Sequence, residues 1–342
     1  MDMKVIHSEK CLCTSCMEEH EVKTVKILEK VTFKNVPVVY EATYFYCENS
    51  EELFMDEYQM RINNVAMKDA YRKAQGILTS EEIIAIRNKY GITQKDLCLI
   101  LGWGAKTITR YESYQIPDRA HDTILKKIAD DPKWFLDLLD YEKNVFSDAE
   151  YNKYFRVATL LCEQEQNNYL RKTIEARYAK FREDELLRGN TELSLEKVVD
   201  VIKYFAASNK VKDLYKVKLM KLMWYADAYF FKTRGVSITG LVYQALQMGA
   251  VPVCHDYIIS LKGVPCEEVN IGETCAYYFN VKGNVEFDSL SEKEKEVLDL
   301  VIDKFGDMTR NEIVSEMHKE RAYIETVPRD FINFKFTQDL LI

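Results

Sequence analysis

The chain has 342 residues, 47% of them hydrophobic and 30% charged, a soluble composition spread over too great a length for one typical core. No apolar run reaches the roughly 18 residues a spanning helix needs, and MDMKVIHSEK at the start has no signal-peptide apolar stretch, so a cytoplasmic protein without a membrane partner is expected. In that compartment the nine cysteines point to free thiols or metal ligation rather than disulfides. The formal net charge of −8 excludes a surface that binds nucleic acid all round, but the charge is uneven. Residues 48–69 hold six acidic and two basic side chains, whereas 106–127 hold five basic and three acidic. A local basic surface can still meet phosphate while the rest repels it.

Residues 1–60 alternate β-branched and aromatic side chains in short runs, the pattern of a small β-rich module, with Asn35-Val36-Pro37 as its turn. Residues 57–75 form an amphipathic helix leading out of it. Thr79 with Glu82 makes a capping box before Ile83, Ile86 and Tyr90, and Gly91 ends that helix. Thr93 and Asp96 cap the next, which buries Leu97, Ile100 and Leu101. Gly102-Trp103-Gly104 turns the chain, and a third helix from about Lys106 places Ile108 and Tyr111 inward. Pro117-Asp118 and Pro132 open two more helices, with Leu125, Ile128, Phe135 and Leu139 apolar, so 61–140 reads as a compact bundle.

Ser147 and Glu150 cap a long helical run to about residue 185. Its near-heptad stripe is broken by Glu165 and Lys172, which favours a packed connector over 141–190 rather than a free coiled coil. Gly189-Asn190-Thr191 has the composition of a boundary. Beyond it, 191–342 opens with a helix capped by Ser194, followed by 216–231, apolar on nearly all sides and so central. Residues 237–258 show no clean period. Residues 272–291 read as a hairpin turning at Lys282-Gly283-Asn284, and Ser291/Glu294 and Thr309/Glu312 cap two further helices. The fold class expected is α+β, mostly α.

Two patterns carry chemistry. Cys13-x2-Cys16 followed by Cys47 is half of a zinc-ribbon arrangement, in which paired thiolates enclose a tetrahedral ion. Zinc is the cofactor implied. The second knuckle has Ser50 where a cysteine is expected, so the fourth donor is taken as Cys11, with His20 and His7 as alternatives; a metal-free β-module is the plain reading beside it. Residues 91–111, GITQKDLCLILGWGAKTITRY, have the form of a DNA-reading helix-turn-helix. Lys106 and Arg110 share a face of the second helix, and Thr107 and Thr109 flank them for phosphate or thymine contacts. The plain alternative is an ordinary helical bundle. Trp224, Tyr225 and Tyr229 are mainly core by pattern, and are the candidates for a protein-partner hot spot if one face of their helix is exposed. His255-Asp256 has no nucleophile placed beside it, phosphate loops and HExxH or GxSxG motifs are absent, and nothing argues for an enzyme.

Through Cys13-x2-Cys16, Tyr46-Cys47, Thr79-to-Glu82, Gly91-to-Gln94, Leu101-to-Gly104 and Lys106-to-Glu112, the first 140 residues resemble antitoxins of the MqsA type. Those join a zinc-binding β-module to an Xre-like helix-turn-helix. The resemblance implies base reading at Lys106 and Arg110, and Ser50 stands where the family has its fourth zinc cysteine. Residues 195–338 resemble the Panacea (SocA-like) domain through Lys218-to-Asp227, Gly240 and the stretch from Tyr243 to Pro252. That resemblance implies toxin neutralisation by direct contact, or adaptor-like delivery to a protease. The expectation is therefore a bacterial or prophage antitoxin that binds a cognate toxin through its C-terminal region. It would repress its own operon as a homodimer on operator DNA. A ligand-responsive transcription regulator and a proteolytic adaptor are the alternatives.

Overall fold

The computed structural model describes residues 3–271, 274–283 and 285–340. It is 52% helical and 18% strand, a mostly-α α+β fold. The chain divides into two compact units, Met1–Cys162 and Glu163–Ile342.

The first unit begins with an antiparallel meander of β1 (Lys4–Leu12), β2 (Glu19–Phe33), β3 (Val36–Cys47) and β4 (Glu52–Phe54). The β2–β3 turn is Lys34–Asn35, both at positive φ (45° and 63°), the conformation a two-residue hairpin loop demands. The turn expected at Asn35-Val36-Pro37 thus falls one residue early, and Val36 and Pro37 already pair with Phe33 and Thr32. Val25, Ile27, Val38 and Ala42 are buried, as is Asn63 of α1 (Glu57–Ala74). The side-chain amide of Asn63 continues the β3 ladder: Thr43 N–H donates to Oδ1 and Nδ2 donates to Thr43 O, both at 2.8 Å.

Helices α2 (Ser80–Lys89), α3 (Gln94–Ile100), α4 (Thr107–Ser113), α5 (Arg119–Asp130) and α6 (Pro132–Tyr141) follow. Side chains of Thr79, Thr93, Asp118 and Asp131 accept the free N–H groups at four of these starts, which is why the polar punctuation sits where it does. Ile83, Tyr90, Leu97, Ile108, Leu125 and Phe135 are among the fully buried side chains of their core. Helix α7 (Asp148–Tyr178) runs across the division between units, adding Tyr154 and Ala158 to this core, while residues 163–166 within it are exposed. The regular helix stops at Tyr178 rather than near 185 and gives way to short 3-10 turns.

The second unit is built on α9 (Lys216–Arg234), flanked by α8 (Leu195–Ala207), α11 (Glu292–Phe305) and α12 (Arg310–Met317). Its core also takes Leu170, Ile174, Tyr178 and Phe181, from the stretch read as a connector. The aperiodic stretch resolves into a hairpin of β5 (Tyr243–Leu246) and β6 (Gly249–Pro252) and a short α10 (His255–Ile259). The second hairpin pairs β7 (Cys266–Ile271) with β8 (Thr274–Phe279). It therefore turns upstream of Lys282-Gly283-Asn284; Asn284, Gly272 and Glu273 lie outside the described residues. A last short helix, α13 (Arg321–Ile324), precedes a 3-10 segment at Phe334–Asp339. Gly249 has φ +99°, and a Cβ there would stand 2.6 Å from Met317 Cγ and 2.9 Å from Lys221 Cε. Only glycine lets β6 lie this close to α9.

Helix α9 buries titratable groups as well as hydrocarbon. Lys221 is fully buried with Nζ donating to Ala250 O at 2.8 Å, and burial pulls its pKa from 10.5 to about 7. Between those pH values the unfolded chain holds a proton that the folded chain does not, so this group makes stability rise with pH. Lys221→Met removes that dependence. The stability of the wild type relative to the variant should climb by about 1.4 kcal/mol per pH unit from roughly pH 7 to 10. Urea melts at several pH values measure this, and a flat difference means that Lys221 stays charged in the fold.

Candidate functional site: a metal centre and a nucleic-acid interface

The link between β1 and β2 is a tight turn. Cys13 N–H donates to Glu18 O (2.9 Å), Met17 N–H donates to Cys13 O (2.8 Å), and Met17 takes φ 62°. This winds Cys16 back toward Cys13. His20 enters from β2 and Cys47 from the end of β3, and the ligand atoms of Cys13, Cys16, His20 and Cys47 all lie within 4.8 Å of one another. Tetrahedral zinc, with bonds of about 2.0–2.3 Å, sets its donors roughly 3.3–3.8 Å apart, so three thiols and an imidazole at this spacing fit the ion after a small contraction. Cys47 Sγ and His20 Nε2 are already 3.4 Å apart.

The surroundings favour a thiolate at Cys47 and Cys13, whereas burial and the two neighbouring cysteines hold the Cys16 thiol up. Ser50 N–H lies 3.4 Å from Cys47 Sγ, and Asn49 Nδ2 lies 3.6 Å from Cys16 Sγ. Burial pushes the Cys47 thiol up, but the side chain and backbone of Ser50, with Cys13 and Cys16, outweigh it and bring the pKa to about 6. His20 Nδ1 sits 2.9 Å from Glu21 O; a proton on that nitrogen leaves the Nε2 lone pair for the metal. The fourth donor in this group is thus His20 and not Cys11. Cys11 packs against the cluster of Cys13, Val22 and Cys47 but is not one of the grouped donors, and His7 is exposed near Glu9. Ser50 Oγ bonds to Ser15 Oγ (2.8 Å), so it braces the turn while His20 completes the set.

The second site is the α3–α4 pair. Glu112 of α4 accepts from Arg87 Nε of α2 at 2.7 Å and from Gln94 Nε2 of α3 at 2.5 Å. Gln94 Oε1 in turn accepts from Thr109 Oγ1 at 2.8 Å. Three helices are therefore pinned through one carboxylate. Arg72, 1% exposed, reaches from α1 to Tyr111 O (2.9 Å) and Gln115 O (2.8 Å) at the far end of α4. Lys106, at the N-cap, and Thr109 are exposed, and Arg110 is half-buried with its guanidinium over Thr107. Thr107 departs from expectation. It is buried at the first turn of α4, against Gly104, so it supports the helix and presents no side chain to a groove.

In the second unit Trp224 and Tyr225 are fully buried and Tyr229 is packed against the same core. A side chain without exposed surface contacts no partner, so Trp224 and Tyr225 belong to the interior, while Tyr229 keeps part of its surface exposed. Exposed apolar side chains lie instead at Ile324 (66%) and Val327 (68%), which follow the stacked pair His318–Tyr323 in sequence. His255 is half-buried with Nδ1 3.2 Å from Asp256, whose carboxylate is also paired with Lys216.

A family model described as antitoxin SocA-like, Panacea domain matches residues 219–323, the span from within α9 into α13. No curated protein and no solved structure matches the chain.

Zinc loading gives a direct check of the donor set. His20→Ala should weaken zinc binding by more than the roughly 10–100-fold that losing an outer-shell partner costs, whereas Cys11→Ser should leave it unchanged. Competition with a chromogenic chelator reads both. The reverse order of the two variants would return the fourth position to Cys11.

Proposed function

We propose that this chain is an antitoxin that neutralises a toxin protein by direct contact through its C-terminal unit. It represses its own operon by binding operator DNA through the α3–α4 helix-turn-helix. The observation that carries the first part is the match of an antitoxin SocA-like domain to residues 219–323, which span most of a unit with its own core. The toxin surface is assigned to Ile324 and Val327, with the carboxylates of Glu325 and Asp330 nearby in sequence, because large exposed apolar groups ringed by charge are what a partner can desolvate with gain.

The DNA part is supported by the exposed face of α4. Lys106 and Arg110 lie one turn apart, Thr109 is exposed beside them, and the helix is held from three sides by Arg87, Gln94 and Arg72. A rigidly held helix presenting donors is the requirement for reading base edges in the major groove. A dimer on a two-fold operator follows from that mode of binding. The metal centre serves as the staple of the sheet's turn end, where the buried cluster is Cys13, Val22 and Cys47. The same geometry would serve a ligand-responsive regulator or a proteolytic adaptor, but the family match favours the antitoxin.

Growth rescue and promoter repression separate the two halves. Arg110→Ala should weaken operator binding by about 1–3 kcal/mol in a gel-shift titration and leave toxin neutralisation intact. Ile324→Asp with Val327→Asp should do the opposite: co-expression with the toxin no longer rescues growth, while repression persists. Unchanged operator affinity in the first variant removes α4 from the groove, and full rescue by the second moves the toxin surface elsewhere.

A further inference from the structure

Helix α1 holds both parts of the first unit. Near its start, Asn63, 7% exposed, hydrogen-bonds both backbone groups of Thr43 on β3. Cys47, a member of the metal-binding group, lies four residues further along the same strand. Near its end, Arg72 donates to the carbonyls of Tyr111 and Gln115, where α4 runs out of donors of its own. Asp69, one turn before Arg72, holds the guanidinium at 2.7 Å and also accepts from Ser80 N–H (2.9 Å) at the start of α2. The nine residue steps from Asn63 to Arg72 are continuous helix, a stiff rod of roughly 14 Å. Charge-assisted hydrogen bonds in a buried setting are strong and directional, so a shift of the rod moves what Arg72 holds.

We propose that Asn63 and Arg72 are positioning residues through which the metal-bearing sheet sets the seating of α4, so that operator affinity depends on the filling of the metal centre. This rests on the reading of α4 as the DNA-contacting helix. The physical sequence is short. At the end of the sheet that carries the donor group the buried cluster is Val22 with Cys13 and Cys47, while Val25, Ile27, Val38 and Ala42 are buried further along, so an empty centre frees the end of β3. The bonds between Thr43 and Asn63 then open more often, α1 loosens, and the C-terminal end of α4 loses its fixed acceptor geometry. The separate core of α2–α6, with Ile83, Leu97, Ile108 and Phe135, stays intact, so the effect is on seating rather than on folding of the bundle.

The test uses the full chain, zinc-loaded or stripped with a chelator. Two readouts are followed: anisotropy titration of the DNA upstream of its own gene, and amide exchange at Tyr114 and Gln115, whose N–H groups bond to Arg110 O at 2.8 and 2.7 Å. Stripping should weaken DNA binding by about 10-fold, a coupling of roughly 1.4 kcal/mol, and should speed exchange at both amides. Arg72→Met should bind the same zinc and lose a similar factor in DNA affinity when loaded. It should lose little more when stripped, because the connection is already cut. If Arg72→Met loses its helical circular dichroism, Asn63→Leu tests the other grip with the same expectation. Equal exchange and affinity in loaded and stripped wild type overturns the proposal, and so does a variant that loses as much on stripping as the wild type. If the zinc-loaded wild type binds no DNA, the reading of α4 has failed, and the exchange at Tyr114 and Gln115 alone decides the coupling.

Discussion

The second unit is organised by the need to satisfy polar, titratable groups that helix α9 carries into its core. A helix buried on every side would be simplest as pure hydrocarbon, yet Lys218, Lys221 and Asp227 all lie within it at 1% exposure or less. Each dictates the course of a different connection. Lys218 Nζ draws in the carbonyls of Lys212 and Gly306, before α9 and after α11. Lys221 takes the carbonyl of Ala250 and so fixes β6. Asp227 accepts from Ile238 N, Thr239 N, Thr239 Oγ1 and Tyr243 OH, which folds the loop after α9 back on its own helix. Burial raises the Asp227 pKa to about 6 even against those four donors. An unpaired polar group at this depth costs more than most contacts return, so these loops have little freedom to run elsewhere.

Helix starts were the most legible part of the chain. Thr79/Glu82, Thr93, Asp118, Ser147/Glu150, Ser194, Ser291/Glu294 and Thr309/Glu312 all bond as their spacing implies. A cap is a local interaction over three residues, so sequence contains all of it. The inward positions Ile108, Tyr111, Leu125 and Phe135 were legible for the same reason. Strand pairing was less so. The β5–β6 hairpin has only four residues per strand: β5 alternates buried and half-buried over too short a run to stand out, and β6, held against α9 through Gly249, is buried at three of its four positions. The position of the β7–β8 turn was missed because Lys282-Gly283 is a good turn sequence that follows the strands rather than joining them.

The candidate sites divide along the same line. Lys106, Thr109 and Arg110 share a short helix, so their common face follows from spacing. Thr107 looks equivalent in sequence, and only the close approach of Gly104 shows that it is enclosed. Trp224 and Tyr225 are the type of side chain that anchors interfaces, but their burial depends on elements far along the chain, such as Phe305 stacked 4.1 Å from Tyr225. His20 was read only as an alternative to Cys11, because it stands on a strand and not in a second knuckle. Its one local signal is its distance from the turn, four residues past Cys16 where β2 begins.

Ser50 bears on how such modules change over time. A closed metal site constrains where four donor atoms sit in space, and a sheet offers that space from several strands at once. Once an imidazole on β2 occupies a vertex, the knuckle after β3 no longer has to supply a sulfur. It can keep its backbone N–H on Cys47 and trade the side chain for a hydroxyl that ties down Ser15. A donor group assembled in this way lies out of reach of any pattern written in cysteine spacing.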